Sequence, residues 1–377
     1  MIKETGKQFV RDISPKLKSV ALRVNSGGIK NALPIDDTLR LNPSILSVPK
    51  KPWARAVDDI ETPFVGEYDE AEYVKNDALN LMGLYEMRTM LSAFGLPSLM
   101  QTDYQNKPLA GKQFLVAGTG TGREVVNLAA LGGDVIGLDA TYGYVDLTAK
   151  KLKGVASVID PKTRIELFQC PAEDFPYMQD SLDGITSLFG VINHIQDWRG
   201  QIRKYVSAIK PDGRLVIEKY GSSNALVFEL KKKGVLGYDP SILQSRDPEG
   251  KGILLGPNEP VLPASFPTDR EFLRELAKNN LDIKRRIGFL RIAALFPKDP
   301  NPENLLRFME TVREVDEAAY DFIGRFKTPE ELLFASFLYD IRSQKRTVNP
   351  VPIEDFAYVL YVGRKYRQEE FLKNFSH

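Results

Sequence analysis

Three glycines alternate with threonines at Gly118, Gly120 and Gly122, directly after the apolar run 114–117. Glycine adopts positive φ easily and lets the backbone approach a ligand with no Cβ between them. The N-terminus of the helix expected next would offer N–H groups that have no partner within that helix. The pattern therefore predicts a turn that holds a nucleotide-like cofactor.

The spacing of the glycines bears on which cofactor this is. A dinucleotide-binding turn follows G-x-G-x-x-G, which would put its third glycine at position 123. The chain has Arg123 there, and the glycine comes one residue earlier at Gly122. NAD and FAD are therefore disfavoured, and an NAD oxidoreductase remains only a distant alternative.

Alternating strands and helices are expected to position this turn. A helix over 124–131 leads to a strand over 134–138 that ends in Asp139, whose carboxylate could accept both hydroxyls of a ribose. Two further strands are predicted over 165–168 and 184–189. A helix follows, and the turn 210–213 delivers the chain into a strand over 215–218.

The ordered motifs from Lys112 to about Glu218 resemble the class I S-adenosylmethionine-dependent methyltransferases, particularly their small-molecule branch. The motifs are the glycine turn, Asp139, the segment 172–176, the pair Asn193-His194 and the turn 210–213. The resemblance implies an α/β fold, a Rossmann-like seven-stranded methyltransferase sheet with helices on both faces. An N-terminal extension and a helical insertion between strands six and seven complete the expected fold.

The resemblance also implies a cofactor, S-adenosyl-L-methionine. The glycine turn would lie under its methionine part, Asp139 would bind the ribose, and Ala172 and Glu173 would lie beside the adenine. The expected cofactor contacts are Gly118, Thr119, Gly120, Gly122, Asp139, Ala140, Ala172, Glu173 and Asn193. Two positions where the family usually has acids depart from its pattern, and they hold Val116 and Pro171.

His194 is the catalytic candidate. Methyl transfer requires alignment of the acceptor and, for a hydroxyl or ammonium acceptor, removal of a proton. A neutral imidazole at the tip of the fourth strand could take that proton; alternatively, His194 caps the strand or packs on the cofactor. Glu218 and Tyr220 are secondary candidates for substrate contact, with structural roles as the alternative. No metal is required.

Composition narrows the class of protein. The chain has 377 residues, 51 basic and 50 acidic, and this balance favours neither nucleic acid nor an anionic membrane as a partner. Its one cysteine, Cys170, excludes an intramolecular disulfide, and two histidines exclude most multi-histidine metal sites. We expect no membrane span, no signal peptide and a cytoplasmic location.

Four regions are expected. They are an N-terminal arm and helical cap (1–100), the methyltransferase core (101–297), a helical insertion (298–350), and a final core strand with a C-terminal tail (351–377). The arm or the insertion could form a homodimer interface.

Within these regions the sequence predicts a set of further elements. They are an amphipathic segment over 9–24, a proline-rich arm through residue 52, a helix over 76–94, a loop-dominated insertion over 222–267 with a helix at 225–233, a capping box at Thr268 and Glu271, a strand near 283–293, helices over 305–315 and 328–341, and a last strand at the sheet edge over 356–362.

Three functions remain open from the sequence. The preferred one is methylation of a small or medium-sized organic acceptor on oxygen, nitrogen or carbon. The second is a protein or peptide methyltransferase whose insertions form a docking surface. The third is a non-catalytic methyltransferase-like binding protein, which Val116 and Pro171 motivate.

Overall fold

The computed structural model describes residues 77–96, 105–221, 243–246, 251–255, 261–297, 299–345 and 351–366. The predicted amphipathic segment, the proline-rich arm and the helix at 225–233 lie outside these residues.

The described helices are α1 (Asp77–Ala93), α2 (Arg123–Ala130), α3 (Tyr142–Gly154), α4 (Val191–His194), α5 (Trp198–Ala208), α6 (Asp269–Lys278), α7 (Pro302–Val315), α8 (Glu317–Ile323) and α9 (Pro329–Ser343). The described strands are β1 (Gln113–Ala117), β2 (Asp134–Asp139), β3 (Ile165–Gln169), β4 (Leu182–Ser187), β5 (Ile209–Tyr220), β6 (Leu243–Arg246), β7 (Lys251–Leu255), β8 (Val261–Ser265), β9 (Leu281–Phe289) and β10 (Tyr358–Lys365).

A seven-stranded sheet in the order β3-β2-β1-β4-β5-β10-β9 forms the centre of the molecule. Strands β1 to β5 pair in parallel, whereas β10 runs antiparallel to both β5 and β9. The predicted seven-stranded Rossmann-like sheet is confirmed. The last strand is not at the edge as expected, because β10 lies between β5 and the edge strand β9.

Both faces of this sheet are buried under helices. Phe114 and Val116 of β1 belong to one apolar cluster, with residues of α1, α2, α3 and α9. Leu115 and Ala117 alternate with them and belong to the opposite cluster, with residues of α5 and α6. This alternation explains the continuous apolar run in the sequence, since a strand covered on both faces needs no polar side.

The end of helix α1 packs on the sheet near the starts of β1 and β4. The ring of Phe94 lies 4.7 Å from that of Phe114, centroid to centroid. A Cβ on Gly184 in β4 would lie 2.3 Å from a ring carbon of Phe94, so the small residue lets the helix approach. The predicted helix over 76–94 is confirmed.

The prediction of a loop-dominated insertion over 222–267 was wrong in part. Strands β6, β7 and β8 form a separate three-stranded antiparallel sheet in that order. Pro263 lies in β8 at the edge of this sheet, the position in a sheet where proline is tolerated. Glycine and proline in such short strands gave the sequence the appearance of a loop.

The helical insertion contains three helices, α7, α8 and α9, where two were predicted. Asp316 separates the first two because its side chain accepts a hydrogen bond from Ala319 N and begins α8. Helix α9 has two buried faces. One contributes Leu333 and Phe337 to the cluster under the sheet, and the other packs against α7 and α8. Both predicted helix starts, at Thr268 and Thr328, are confirmed as capping boxes.

One carboxylate joins this insertion to the sheet. Asp340 of α9 is 0% exposed and accepts hydrogen bonds from the backbone N–H groups of Arg291, Ile292 and Ala293, at 2.9, 2.9 and 3.1 Å. These residues follow β9 directly. The insertion is therefore fixed to the end of β9 by buried polar contacts as well as by apolar packing.

We expect Asp340→Ala to lower the free energy of unfolding by about 3 kcal/mol, because it leaves buried N–H donors without acceptors. Asp340→Asn keeps one acceptor oxygen and should lose less. Urea denaturation of both variants beside the wild type measures the difference. Equal stability of Asp340→Ala and wild type would contradict this account of the junction.

Candidate functional site

The glycine turn joins β1 to α2 at the carboxyl edge of the sheet. Gly118, Gly120 and Gly122 have φ values of 77°, 48° and 88°, in the region that favours glycine. The end of β2 fixes the start of the turn, since Gly118 N and Thr119 N both donate to Leu138 O, at 2.7 and 2.9 Å. The conformation of the turn is set by its neighbour in the sheet.

The three glycines differ in what lies above them. A Cβ on Gly118 would lie 2.3 Å from Val191 Cγ2, and one on Gly122 would lie 2.7 Å from Thr148 Oγ1. Among the described residues, a Cβ on Gly120 would meet no atom within 4 Å. Gly118 and Gly122 therefore serve close packing within the protein. Gly120 faces open space that an added side chain would fill, and this fits the cofactor that the sequence implies.

Asp139 lies beside Gly120 at the end of β2. Its Oδ2 accepts from Gly120 N at 2.9 Å and from Thr119 Oγ1 at 3.4 Å, and its Oδ1 accepts from Thr141 N at 2.9 Å. The residue is 9% exposed. Ala140, the next residue, has its carbonyl bound by Gln169 Nε2 at 3.3 Å. The structure thus brings Gly120 and Asp139, two of the predicted cofactor contacts, into direct contact.

The segment expected beside the adenine forms a short 3-10 helix, Ala172–Asp174, which Pro171 precedes at the N-cap. Tyr177 Oη donates to Ala172 O at 2.7 Å, and Lys204 Nζ donates to Glu173 O at 2.7 Å. These bonds fix the backbone of the segment after β3, which is the next strand out from β2.

Asn193 holds protein elements together. Its Nδ2 donates to Ser265 O at 2.5 Å, its Oδ1 accepts from Tyr220 N at 2.8 Å, and the residue is 1% exposed. The Asn193 amide thereby connects α4 to the end of β5 and to β8 of the three-stranded sheet. Its assignment as a cofactor contact stays a prediction, and the geometry gives it a structural role.

His194 lies on α4, several residues beyond the end of β4, and not at the strand tip as expected. Its Nε2 is 3.3 Å from Tyr220 Oη, and the two rings meet edge to face at 5.9 Å. Burial lowers the pKa of His194 to about 4, so the imidazole is neutral near pH 7. A neutral imidazole can accept a proton, although a group of such low pKa is a weak base.

Four charged side chains form a buried group that the sequence analysis did not predict. Arg123 Nη2 contacts Glu86 Oε2 at 2.8 Å and Glu124 Oε1 at 2.5 Å, and Glu218 lies against Glu86. The position of Glu86 in the sequence could have indicated this group. This residue falls between Met82 and Met90 at helical spacing, and all three are 0% exposed, so a charge lies within the buried stripe of α1.

The described residues contain no group of three or more His, Cys, Asp or Glu side chains that could hold a metal ion. No helix in the described part of the chain combines the length and apolar character that crossing a membrane requires.

Known proteins show similarity to the region that forms this site. Residues 115–217 match the methyltransferase domain family. A demethylmenaquinone methyltransferase from Clavibacter sepedonicus is 30% identical over 115 residues, which are 30% of this chain and 44% of that protein. The mitochondrial ubiquinone biosynthesis O-methyltransferase from Bos taurus is 29% identical over 139 residues, 36% of each chain.

Among solved structures, a 1,6-didemethyltoxoflavin-N1-methyltransferase from Burkholderia thailandensis is 12% identical, with a TM-score of 0.40. That comparison covers 85% of this chain and 93% of the other. The chain spans less than half the length of each of the two sequence relatives.

The fold and the glycine turn define a class I methyltransferase domain. The sequence match over residues 115–217 supports a class I S-adenosylmethionine-dependent methyltransferase domain in this part of the chain.

The different surroundings of the glycines lead to a prediction. Gly120→Val should abolish binding of S-adenosylhomocysteine, because its side chain fills the open space, while left-handed backbone strain costs only about 1–2 kcal/mol of stability. Gly118→Val should cost about 3 kcal/mol or more, because it also collides with Val191. Calorimetric titration and thermal unfolding separate the two effects. Unchanged affinity in Gly120→Val would remove this turn from the cofactor site.

Proposed function

We propose that this protein transfers a methyl group from S-adenosylmethionine to a small or medium-sized organic acceptor. The observation that carries the proposal is the open space above Gly120, beside the carboxylate of Asp139. A glycine with positive φ, a vacant approach to its backbone and an adjacent acid suit a ligand that carries a ribose and a charged amino acid part.

Cofactor binding in this proposal uses residues from three strand ends. The turn 118–122 lies under the methionine part, which approaches it at Gly120 while Gly118 and Gly122 keep the turn closely packed, and Asp139 with Ala140 holds the ribose. The adenine lies beside Ala172 and Glu173, whose backbone is held by Tyr177 and Lys204. When bound, S-adenosylmethionine supplies a methyl group that its sulfonium has already activated. The protein aligns the acceptor with that group and excludes water.

A row of aromatic residues favours an acceptor that contains a ring. Tyr220 of β5 pairs with Tyr358 of β10, and Tyr358 pairs with Phe289 of β9, so the three form one row across the sheet. The Tyr220 and Tyr358 rings lie 5.4 Å apart, and the half-buried Phe189 after β4 lies 6.3 Å from Tyr358. Open α/β sheets bind ligands at this carboxyl edge, where the half-buried Phe189, backed by the buried rings of Tyr220 and Tyr358, would meet the acceptor.

The relatives lend support to the same acceptor class. One is named for demethylmenaquinone and another for O-methylation in ubiquinone biosynthesis. We therefore propose a quinone-like or phenolic ring, methylated on carbon or oxygen, as the acceptor. The test is to incubate purified protein and labelled S-adenosylmethionine with such rings, with amines and with peptides. We expect label to be transferred to the rings only.

Cofactor binding can be measured before any acceptor is known. We expect S-adenosylmethionine and S-adenosylhomocysteine to bind with micromolar affinity and NAD not to bind. Asp139→Ala should weaken binding by about 1–3 kcal/mol through lost ribose hydrogen bonds. Asp139→Asn is the matched control for the turn, because its amide oxygen can still accept from Gly120 N. Absence of binding by the wild type would favour a non-catalytic binding protein.

His194 can be tested once an acceptor is found. If it removes the acceptor proton, the rate of methyl transfer should rise with pH through about 4, the value to which burial lowers its pKa. His194→Ala should then remove this rise and lower the rate about a hundredfold. The affinity for S-adenosylhomocysteine should not change. A variant with the full rate and the same pH dependence would assign His194 to packing against Tyr220.

A further inference from the structure

Four charged side chains form a buried group between α1, α2 and β5. Arg123 Nη2 contacts both Glu86 Oε2 and Glu124 Oε1, at 2.8 and 2.5 Å, and the carboxyl group of Glu218 lies against that of Glu86. Glu86 and Glu218 are both 0% exposed, and Glu124 and Arg123 are 6% and 9% exposed. None of these four residues is a predicted cofactor contact.

The charges of this group do not balance if every carboxyl is ionised. Arg123 supplies one positive charge against three carboxylates, and the unbalanced charge would be buried, which is costly. Two carboxyl groups can hydrogen-bond only when one of them carries a proton. Burial raises the pKa of Glu218 well above its ordinary range and raises the pKa of Glu86, while Arg123 opposes the shift. A hydrogen shared between Glu86 and Glu218 would reduce this unbalanced charge, and the upward direction of both pKa shifts favours it.

The pair reaches one end of the glycine turn through Arg123. This residue directly follows Gly122 and begins α2. Gly83 of α1 leaves room for the guanidinium of Arg123, since a Cβ on Gly83 would lie 2.0 Å from Arg123 Nη1. The bond from Glu86 to Arg123 thus joins α1 to the residue where the turn ends.

The pair reaches the other end of the glycine turn through the segment after β4. Glu218 Oε2 accepts from Phe189 N at 2.8 Å. Phe189 has a φ of 52° and Gly190 a φ of 67°, so a residue with a side chain is held in the left-handed region. The next residue, Val191, packs directly on Gly118.

We propose that Glu218, through the hydrogen it shares with Glu86, is a positioning residue for the cofactor site that holds both ends of the glycine turn. Loss of that hydrogen at high pH leaves two adjacent buried carboxylates, which repel each other and loosen both connections. The raised pKa values of Glu86 and Glu218 set the direction of this pH dependence. The folded protein keeps a proton that the unfolded chain has released, so the stabilisation falls as pH rises. The inference rests on the proposed function, because it concerns the same site.

The test is a titration with S-adenosylhomocysteine from about pH 6 to about pH 9. The affinity of the wild type should fall as pH rises. Glu218→Gln should bind with an affinity independent of pH, because its amide permanently donates to Glu86 and its oxygen accepts from Phe189 N. Glu218→Leu should bind about tenfold more weakly throughout the range, because Phe189 N loses its acceptor. The matched control, Glu275→Gln, changes a buried glutamate of α6 and should follow the wild type.

Hydrogen exchange without ligand provides a second readout. In Glu218→Leu the amides of Phe189 and Gly120 should exchange faster, while those of α6 keep wild-type rates. If the wild type binds no S-adenosylhomocysteine but this exchange pattern appears, the proposed function fails and the positioning role stands. If the wild type binds but Glu218→Gln keeps the wild-type pH dependence, the inference is overturned. Wild-type exchange rates at Phe189 in Glu218→Leu would also overturn it.

Discussion

The glycine turn depends on the end of β2. Three successive N–H groups, from Gly118, Thr119 and Gly120, donate to Leu138 O and to the carboxylate of Asp139. These bonds direct the backbone of the turn toward the sheet and leave the opposite side of Gly120 open. Because β2 pairs on both sides with β1 and β3, the turn has its geometry before any ligand arrives. Such preorganisation removes part of the entropic cost of binding.

The proposed acceptor side is assembled differently. Its aromatic row comes from β5, β10 and β9, and Phe266 follows the small sheet to stack on Tyr220 at 6.2 Å. These residues are far apart in the chain, whereas the turn and Asp139 lie in one βαβ unit. The proposed cofactor half of the site is thus local in sequence, and the proposed acceptor half forms only when distant segments pack together. Variation in the insertions could change the acceptor pocket without altering the glycine turn.

The difference between local contacts and contacts of distant segments explains which features the sequence predicted. The parallel strands, the glycine turn and the helix starts at Thr268 and Thr328 follow from local patterns, and the structure has them. The three-stranded sheet was missed because its short strands contain Gly252 and Pro263. The contact of Glu86 with Arg123 and Glu218 could not be predicted, since it depends on how α1 packs over the sheet. The same holds for the different surroundings of Gly118 and Gly120, whose local sequences are nearly alike.

The order of strands has a consequence for synthesis on the ribosome. Among the described strands β9 pairs only with β10, yet β9 leaves the ribosome before the three helices of the insertion and before β10 itself. The core from β1 to β5 can collapse early, while β9 must wait for a partner made much later. During that interval its backbone groups lack their final acceptors and donors, and exposed strand edges pair readily with other chains. A nascent chain that ends between β9 and β10 therefore exposes a complete strand that has no partner in the central sheet.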